Sequence, residues 1–215
     1  MSYSIMSVRS GSTKYLPLVL AALIVPALLQ PCEKGDQDSS NELDFYSLFA
    51  MDIENDIIIM EKYRGKVSLV VNVASQCGYT EGHYKGLNYL QEAFKDTDKF
   101  TVLGFPCNQF GEQEPGTNEE IYSFVRNKMG SNFPMFAKIN VLERDVPPTW
   151  QYIIGRSHKK PTWNFWKYLV DHTGHVLGAW GPDTRPEDLY DTIKAAIDNI
   201  DPEKARMKIT RSEEL

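Results

Sequence analysis

Cysteine is scarce in this chain, with only Cys32, Cys77 and Cys107 among 215 residues. Three cysteines are too few for a disulfide scaffold, and these lack the paired spacing of a zinc site, so no metal is expected. No two of them form a Cys-x-x-Cys pair, because Gly78, Tyr79 and Thr80 follow Cys77. The dithiol chemistry of that motif is therefore absent. An excess of basic charge is missing too. With a net charge of -6 and no basic stripe, nothing electrostatic favours nucleic acid as a partner. There is no internal repeat. Nor is there an unbroken apolar run of the ~20 residues that a spanning helix needs. The composition, 42% apolar and 24% charged, is that of an ordinary globular protein. The length suits one domain with a substantial core, plus ends outside it.

The ends have their own character. Arg9 and Lys14 precede an uncharged apolar segment from Tyr15 to Leu29, interrupted by Pro17 and Pro26 and closing near Gln30-Pro31-Cys32. A basic start followed by a short apolar core is the pattern of a secretory signal. An uncleaved signal anchor is the alternative, and only that form would bring the protein to a membrane. Cleavage after Cys32 would remove that cysteine. Residues 1–40 are thus read as signal or anchor plus linker, 41–201 as the domain, and 202–215 as a charged tail. The tail closes on Arg211-Ser212-Glu213-Glu214-Leu215, an imperfect copy of a Lys-Asp-Glu-Leu retrieval signal. Signal and tail together point to the endoplasmic reticulum lumen, with secretion or membrane anchoring as alternatives.

Inside the domain, Val67-Ser68-Leu69-Val70-Val71-Asn72-Val73 reads as a strand buried on both faces. Tyr84, Leu87, Leu90 and Phe94 recur at helical spacing, which predicts a helix from Thr80 to Phe94. A second buried strand follows at Phe100 to Phe105. Asp44 to Ala50 and Ile57 to Met60, flanking a polar turn, suggest an N-terminal hairpin. Thr117-Asn118-Glu119-Glu120 is a capping box opening a second helix. Phe136 to Val141 suggests a connecting strand, and Trp150 to Ile154 a short helix. Lys167 to Val170 and His175 to Trp180 form another hairpin, and Arg185 to Ile200 a last helix. The sum is an α/β fold: a thioredoxin-like central mixed sheet with helices on both faces.

Cys77 sits where the central strand hands over to a helix, close to unpaired backbone N–H groups and the positive end of a helix dipole. A thiol in such a place can have its pKa lowered to ~6, which makes it mostly thiolate at neutral pH. The competing reading is a buried apolar filler, as free cysteines often are. A long polar loop, Phe105-Pro106-Cys107-Asn108-Gln109-Phe110-Gly111-Glu112-Gln113-Glu114-Pro115-Gly116, lies at the C-terminal end of the next strand, where open α/β sheets place their sites. His83, His158, His172 and His175 have no partner spacing and read as surface or turn residues.

The blocks Asn72-Val73-Ala74-Ser75-Gln76-Cys77-Gly78-Tyr79-Thr80, Phe105 to Gly116, and Trp163-Asn164-Phe165 closely resemble the three signatures of glutathione peroxidases. The match covers about residues 43–200. Trp163 to Val170 and the acidic tail ending in leucine resemble the endoplasmic-reticulum, cysteine-type branch. The resemblance implies that Cys77 is the peroxidatic residue, surrounded by Gln113, Trp163 and Asn164. These side chains are neutral donors, able to stabilise both a thiolate and the oxygen leaving a broken O–O bond without themselves titrating. Each is worth ~2.7–4 kcal/mol in the transition state if well aimed.

The resemblance further implies a peroxidase that reduces hydrogen peroxide or small organic hydroperoxides through a cysteine sulfenic acid during oxidative stress. It would use no bound cofactor, and its reductant would be glutathione or a protein disulfide isomerase-like partner. A peroxide sensor or redox relay with little turnover of its own is the alternative. Two departures qualify the match. The nucleophile is a thiol rather than a selenol, and Asn108 to Thr162 contains no resolving cysteine. Cys107 is the other cysteine of the domain, and both a resolving and a structural role stay open for it. The interval from Val141 to Pro161 is shorter than in tetrameric members, which favours a monomer.

Overall fold

The computed structural model describes residues 43–200. The signal or anchor, the linker and the tail lie outside the described residues. No helix among the described residues is long and apolar enough to cross a membrane.

The fold is built on strand β3, Val67–Val73, every residue of which is buried. Its alternation supplies two core layers. Val67, Leu69, Val71 and Val73 join one layer, and Val70 the other. Strand β4, Phe100–Pro106, pairs with β3 in parallel, and β5, Lys167–Val170, pairs with it antiparallel. Strand β6, Val176–Trp180, completes a mixed sheet in the order β4-β3-β5-β6. Helix α1, Thr80–Ala93, and helix α4, Tyr190–Asp198, cover the first layer with Tyr84, Leu87, Leu90, Ile193 and Ile197. Helix α3, Pro148–Ser157, covers the second with Trp150 and Ile153, joined by Phe45, Tyr46 and Met60. Strands β1, Phe49–Met51, and β2, Ile57–Ile59, form a separate antiparallel hairpin. The expected thioredoxin-like sheet, helix layers and hairpin are all present.

Helix α2, Asn118–Ser123, starts with the expected capping box: Thr117 Oγ1 accepts from the Glu120 amide, and the Glu120 carboxylate accepts from the Thr117 amide. It runs on as a wider turn over Phe124–Lys128. Close packing of a strand against a loop explains Gly104. A Cβ there would come within 2.6 Å of Met135 Sδ.

Three elements differ from the sequence reading. The first strand does not begin at Asp44. That carboxylate instead accepts from the amides of Tyr46 at 2.7 Å and Ser47 at 3.1 Å and caps a short turn, so pairing starts only at Phe49. Phe136 to Val141 is not a strand. Its amides are divided among β4, β1 and a loop: Phe136 to Gly104 O and Ile139 to Pro106 O, Ala137 to Met51 O, and Val141 to Gln109 Oε1. A chain whose donors are divided in that way forms no continuous ladder, and within it only Phe136 makes an isolated bridge, with Asp52. The last helix opens with a 3-10 turn over Pro186–Leu189 before becoming α-helical.

Leu69 is fully buried at the middle of β3. Leu69→Ala is expected to lower unfolding stability by about 2–5 kcal/mol, read as a shifted urea midpoint at unchanged slope.

Candidate active site

The turn after β3 carries Cys77, and Thr80 fixes its shape. Thr80 Oγ1 accepts from the Cys77 amide at 3.1 Å and donates to Ala74 O at 2.7 Å, while the Thr80 amide donates to Cys77 O at 3.0 Å. Cys77 is a free thiol with 9% exposure, at the wall of a cleft of about 550 Å³. Ser75, Thr80, Tyr84, Lys85 and Lys128 share that wall.

The other site residues are held by Asn72, a buried side chain on β3. Its Nδ2 donates to Trp163 O at 3.0 Å and its Oδ1 accepts from the Trp166 amide at 2.9 Å. Its backbone O accepts from the Phe165 amide at 2.7 Å, and its amide donates to Trp166 O at 3.3 Å. The Trp163–Trp166 segment is thereby clamped to the strand that ends at the cysteine turn. Phe165 holds a positive φ of 63° in that clamp.

Asn164 is fully buried and directs both N–H bonds of its amide to fixed acceptors, Phe110 O at 3.3 Å and Gln113 Oε1 at 2.9 Å. Gln113 thus has its oxygen engaged and its Nε2 group left as the donor. Gly111, at φ +66°, lets the Gln113 amide and the Trp163 ring approach. A Cβ there would stand 3.4 Å from Gln113 Nε2 and 3.3 Å from Trp163 Cη2. A strap joins this group to the cysteine turn: the Gln76 amide donates to Gln113 O at 3.0 Å. Gln113, Trp163 and Asn164 are therefore gathered on adjoining loops, and one backbone bond ties Gln113 to Gln76, the residue before Cys77.

Cys107 is not part of this group. Its amide bonds Val73 O at 3.1 Å, yet its side chain packs in the layer beneath α3, whereas Cys77 packs in the layer beneath α1. Burial pushes the Cys107 thiol up from its ordinary pKa. Gln109 and Asn108 serve as loop scaffolding. Gln109 Oε1 accepts from the amides of Val141 and Leu142, and Asn108 Oδ1 accepts from the Glu114 amide at 2.8 Å.

The sequence reading placed His83 at the surface. It is in fact buried, its ring 4.9 Å from that of Phe165, and Nε2 lies 3.0 Å from Pro182 O. Burial and the nearby Lys167 charge lower its pKa to about 4, so the ring is neutral. The signal was available, because His83 falls one residue before Tyr84 on the inner arc of α1. Lys167 was missed for the same reason, as a charged residue opening a buried strand. Its Nζ donates to Phe165 O at 2.6 Å and Gly181 O at 3.0 Å, and burial lowers its pKa to about 7.

A cysteine at a strand-to-helix turn, with the turn tied through Gln76 to the loop that carries Gln113, on a thioredoxin-like sheet, is the setting of a thiol-dependent oxidoreductase. The chain belongs to the glutathione peroxidase family, whose sequence model matches residues 45–154, and it is a peroxidase of that kind. It is 48% identical over 159 residues to human glutathione peroxidase 7, covering 74% of this chain and 84% of that protein. It is 43% identical over 156 residues to the human protein described as probable glutathione peroxidase 8, covering 73% and 74%. Among solved structures, the apo form of Trgpx superposes with a TM-score of 0.61 at 35% identity, covering 73% of this chain and 96% of that one. A DsbF homologue from Corynebacterium diphtheriae, at 15% identity and TM-score 0.54, covers 74% and 89% and shares the fold.

Asn72→Ala removes two side-chain hydrogen bonds from the Trp163–Trp166 segment. Each lost bond that leaves a buried partner unpaired costs about 1–3 kcal/mol. The variant is expected to consume peroxide at least about tenfold more slowly with an unchanged far-ultraviolet circular dichroism spectrum. Wild-type turnover would show that the clamp is dispensable.

Proposed function

We propose that this protein reduces hydrogen peroxide or small organic hydroperoxides through a sulfenic acid on Cys77, as a response to oxidative stress. The Cys77 thiolate attacks one peroxide oxygen along the O–O axis. An S–O bond forms, the O–O bond breaks, sulfur is oxidised, and the second oxygen departs with negative charge. Gln113 Nε2 and Trp163 Nε1 supply the neutral donors for that charge, and Asn164 acts by holding the glutamine in the orientation that frees its amine. The observation that carries this reading is the Asn164–Gln113 hydrogen bond, since it leaves Gln113 a committed donor.

The sulfenic acid is reduced by a thiol from outside the chain, either glutathione or a cysteine of a protein disulfide isomerase-like partner. The separation of Cys107 from Cys77 into different core layers supports this over an internal disulfide, whose formation needs facing side chains with Cα atoms within ~7 Å. The same separation favours a second reading, a peroxide relay that passes its oxidation to a partner with little turnover of its own. Location in the endoplasmic reticulum lumen goes with the basic-then-apolar segment over residues 9–29 and the Ser212-Glu213-Glu214-Leu215 motif. The compact Val141 to Pro161 interval supports a monomer.

Cys77→Ser is expected to abolish peroxide consumption with the fold intact, because serine is nearly isosteric but a poor nucleophile. Cys107→Ser is expected to keep turnover with glutathione or a disulfide isomerase. Without an added thiol, Cys107→Ser and wild type should reach the sulfinic acid at the same rate, read by mass spectrometry. Faster overoxidation of the variant would assign Cys107 a resolving role. Many peroxide equivalents consumed per protein would identify the enzyme, and about one the relay.

A further inference from the structure

Glu114 follows the site glutamine directly, and its carboxyl is fully buried. Neither carboxyl oxygen makes a hydrogen bond of ordinary distance and angle, although the Ser75 hydroxyl and amide lie close enough to favour its charged form. A buried acid without firm partners is costly when ionised, and burial raises its pKa to about 7. The groups around it do little to oppose this. Lys138 directs its ammonium to the backbone carbonyls of Glu114, Pro115 and Gly116, at 3.3, 3.4 and 2.6 Å, rather than to the carboxyl. Tyr84, on α1, is a buried phenol whose hydroxyl also lacks a hydrogen-bond partner. Cys107 and Asn108 flank it from the loop after β4. Glu120, at the start of α2, is committed to its capping box. Ser75 and Tyr84 are at the same time walls of the cleft that Cys77 shares. The carboxyl thus lies behind the cysteine turn, and Ser75 stands between it and the cleft.

We propose that Glu114 is the proton store of the reaction, acting through Ser75 on the oxygen that leaves the peroxide. Attack by the Cys77 thiolate on hydrogen peroxide gives the sulfenic acid and a hydroxide. The Glu114 carboxylic acid gives up its proton by way of the Ser75 hydroxyl, the hydroxide becomes water, and the carboxylate remains. Once thiols have reduced Cys77 back to its protonated form, the carboxylate takes that proton and restores the thiolate. No proton is gained or lost over the cycle. Glu114 lies within the Phe105 to Gly116 block, and the donors assigned to the site above, Gln113 and Trp163, are neutral and cannot supply a proton.

The inference rests on the thiol-peroxidase reading and has its own test. Glu114→Gln keeps size and hydrogen-bonding capacity but cannot supply a proton. Stopped-flow rates would be compared for Cys77 with hydrogen peroxide, with peracetic acid and with iodoacetamide. Hydroxide needs a proton as it leaves, whereas acetate and iodide do not. Glu114→Gln is expected to slow the hydrogen peroxide reaction by about 100-fold, while the other two rates stay within about twofold of wild type. In wild type, the ratio of the hydrogen peroxide rate to the iodoacetamide rate should fall as pH rises through about 7, as the acid is lost. In Glu114→Gln the ratio should be flat. Ser75→Ala, which keeps the carboxyl in place, should show the same selective loss, and Glu114→Asp should recover part of the pH dependence. Equal slowing with all three reagents, or an unchanged ratio in either Glu114→Gln or Ser75→Ala, would overturn the proposal. A wild-type protein that fails to consume peroxide at all would instead defeat the peroxidase reading.

Discussion

The site depends on one buried amide. Asn72 lies on the central strand, among residues whose side chains are apolar, and a polar group there is costly unless every donor and acceptor is met. Asn72 meets them by taking the Trp163–Trp166 segment as its partner, through side chain and backbone together. The cost of burying the amide and the placement of the indole are therefore the same interaction. A loop free to choose its conformation would not hold Trp163 half-exposed at 38% and Asn164 fully buried side by side. Here the strand chooses for it, and a tryptophan and an asparagine are fixed against the strand that ends at the cysteine turn, with little entropy left to lose.

The consequences spread from that point. Asn164, once fixed, turns Gln113, and Gln113 is tied through its carbonyl to Gln76 beside the cysteine. Lys167 secures the far side of the same segment by bonding Phe165 O and Gly181 O from within β5. His83 closes it from α1 with its neutral ring against Phe165. Asn164 and Lys167 direct N–H groups to backbone carbonyls, and His83 Nε2 lies 3.0 Å from another. That arrangement orients the loop through neutral amides and carbonyls, and burial lowers the pKa of the one ammonium among them, Lys167, to about 7.

Much of this was legible in the sequence. The β-branched run at 67–73, the helical recurrence of Tyr84, Leu87 and Leu90, and the Thr117–Glu120 box are local signals, and the structure follows them. The gathering of Gln113, Trp163 and Asn164 was legible only through family resemblance, because nothing in the spacing of those residues announces that they meet. What escaped was governed by partners distant in sequence. Phe136 to Val141 has the composition of a strand, but its amides are claimed one by one by Met51, Gly104, Pro106 and Gln109. His83, Lys167 and Glu114 are polar letters that a pattern reading assigns to solvent. They are buried because the sheet and helices close over them, and only tertiary packing decides that.

The pairing of β3 with β5, where Val71 meets Lys167, has a consequence in time as well as space. The Asn72 side chain reaches partners 91 and 94 residues further along the chain. Contacts that close so long a loop form late, after the local helices and the β3–α1–β4 unit can already exist. A chain still emerging from its ribosome would carry Cys77 in a folded-looking turn with no indole, no asparagine and no oriented glutamine beside it. On the mechanism proposed above, such a chain has the nucleophile but not the donors. On that mechanism, reactivity toward peroxide follows the docking of β5 and belongs to the end of folding rather than its onset.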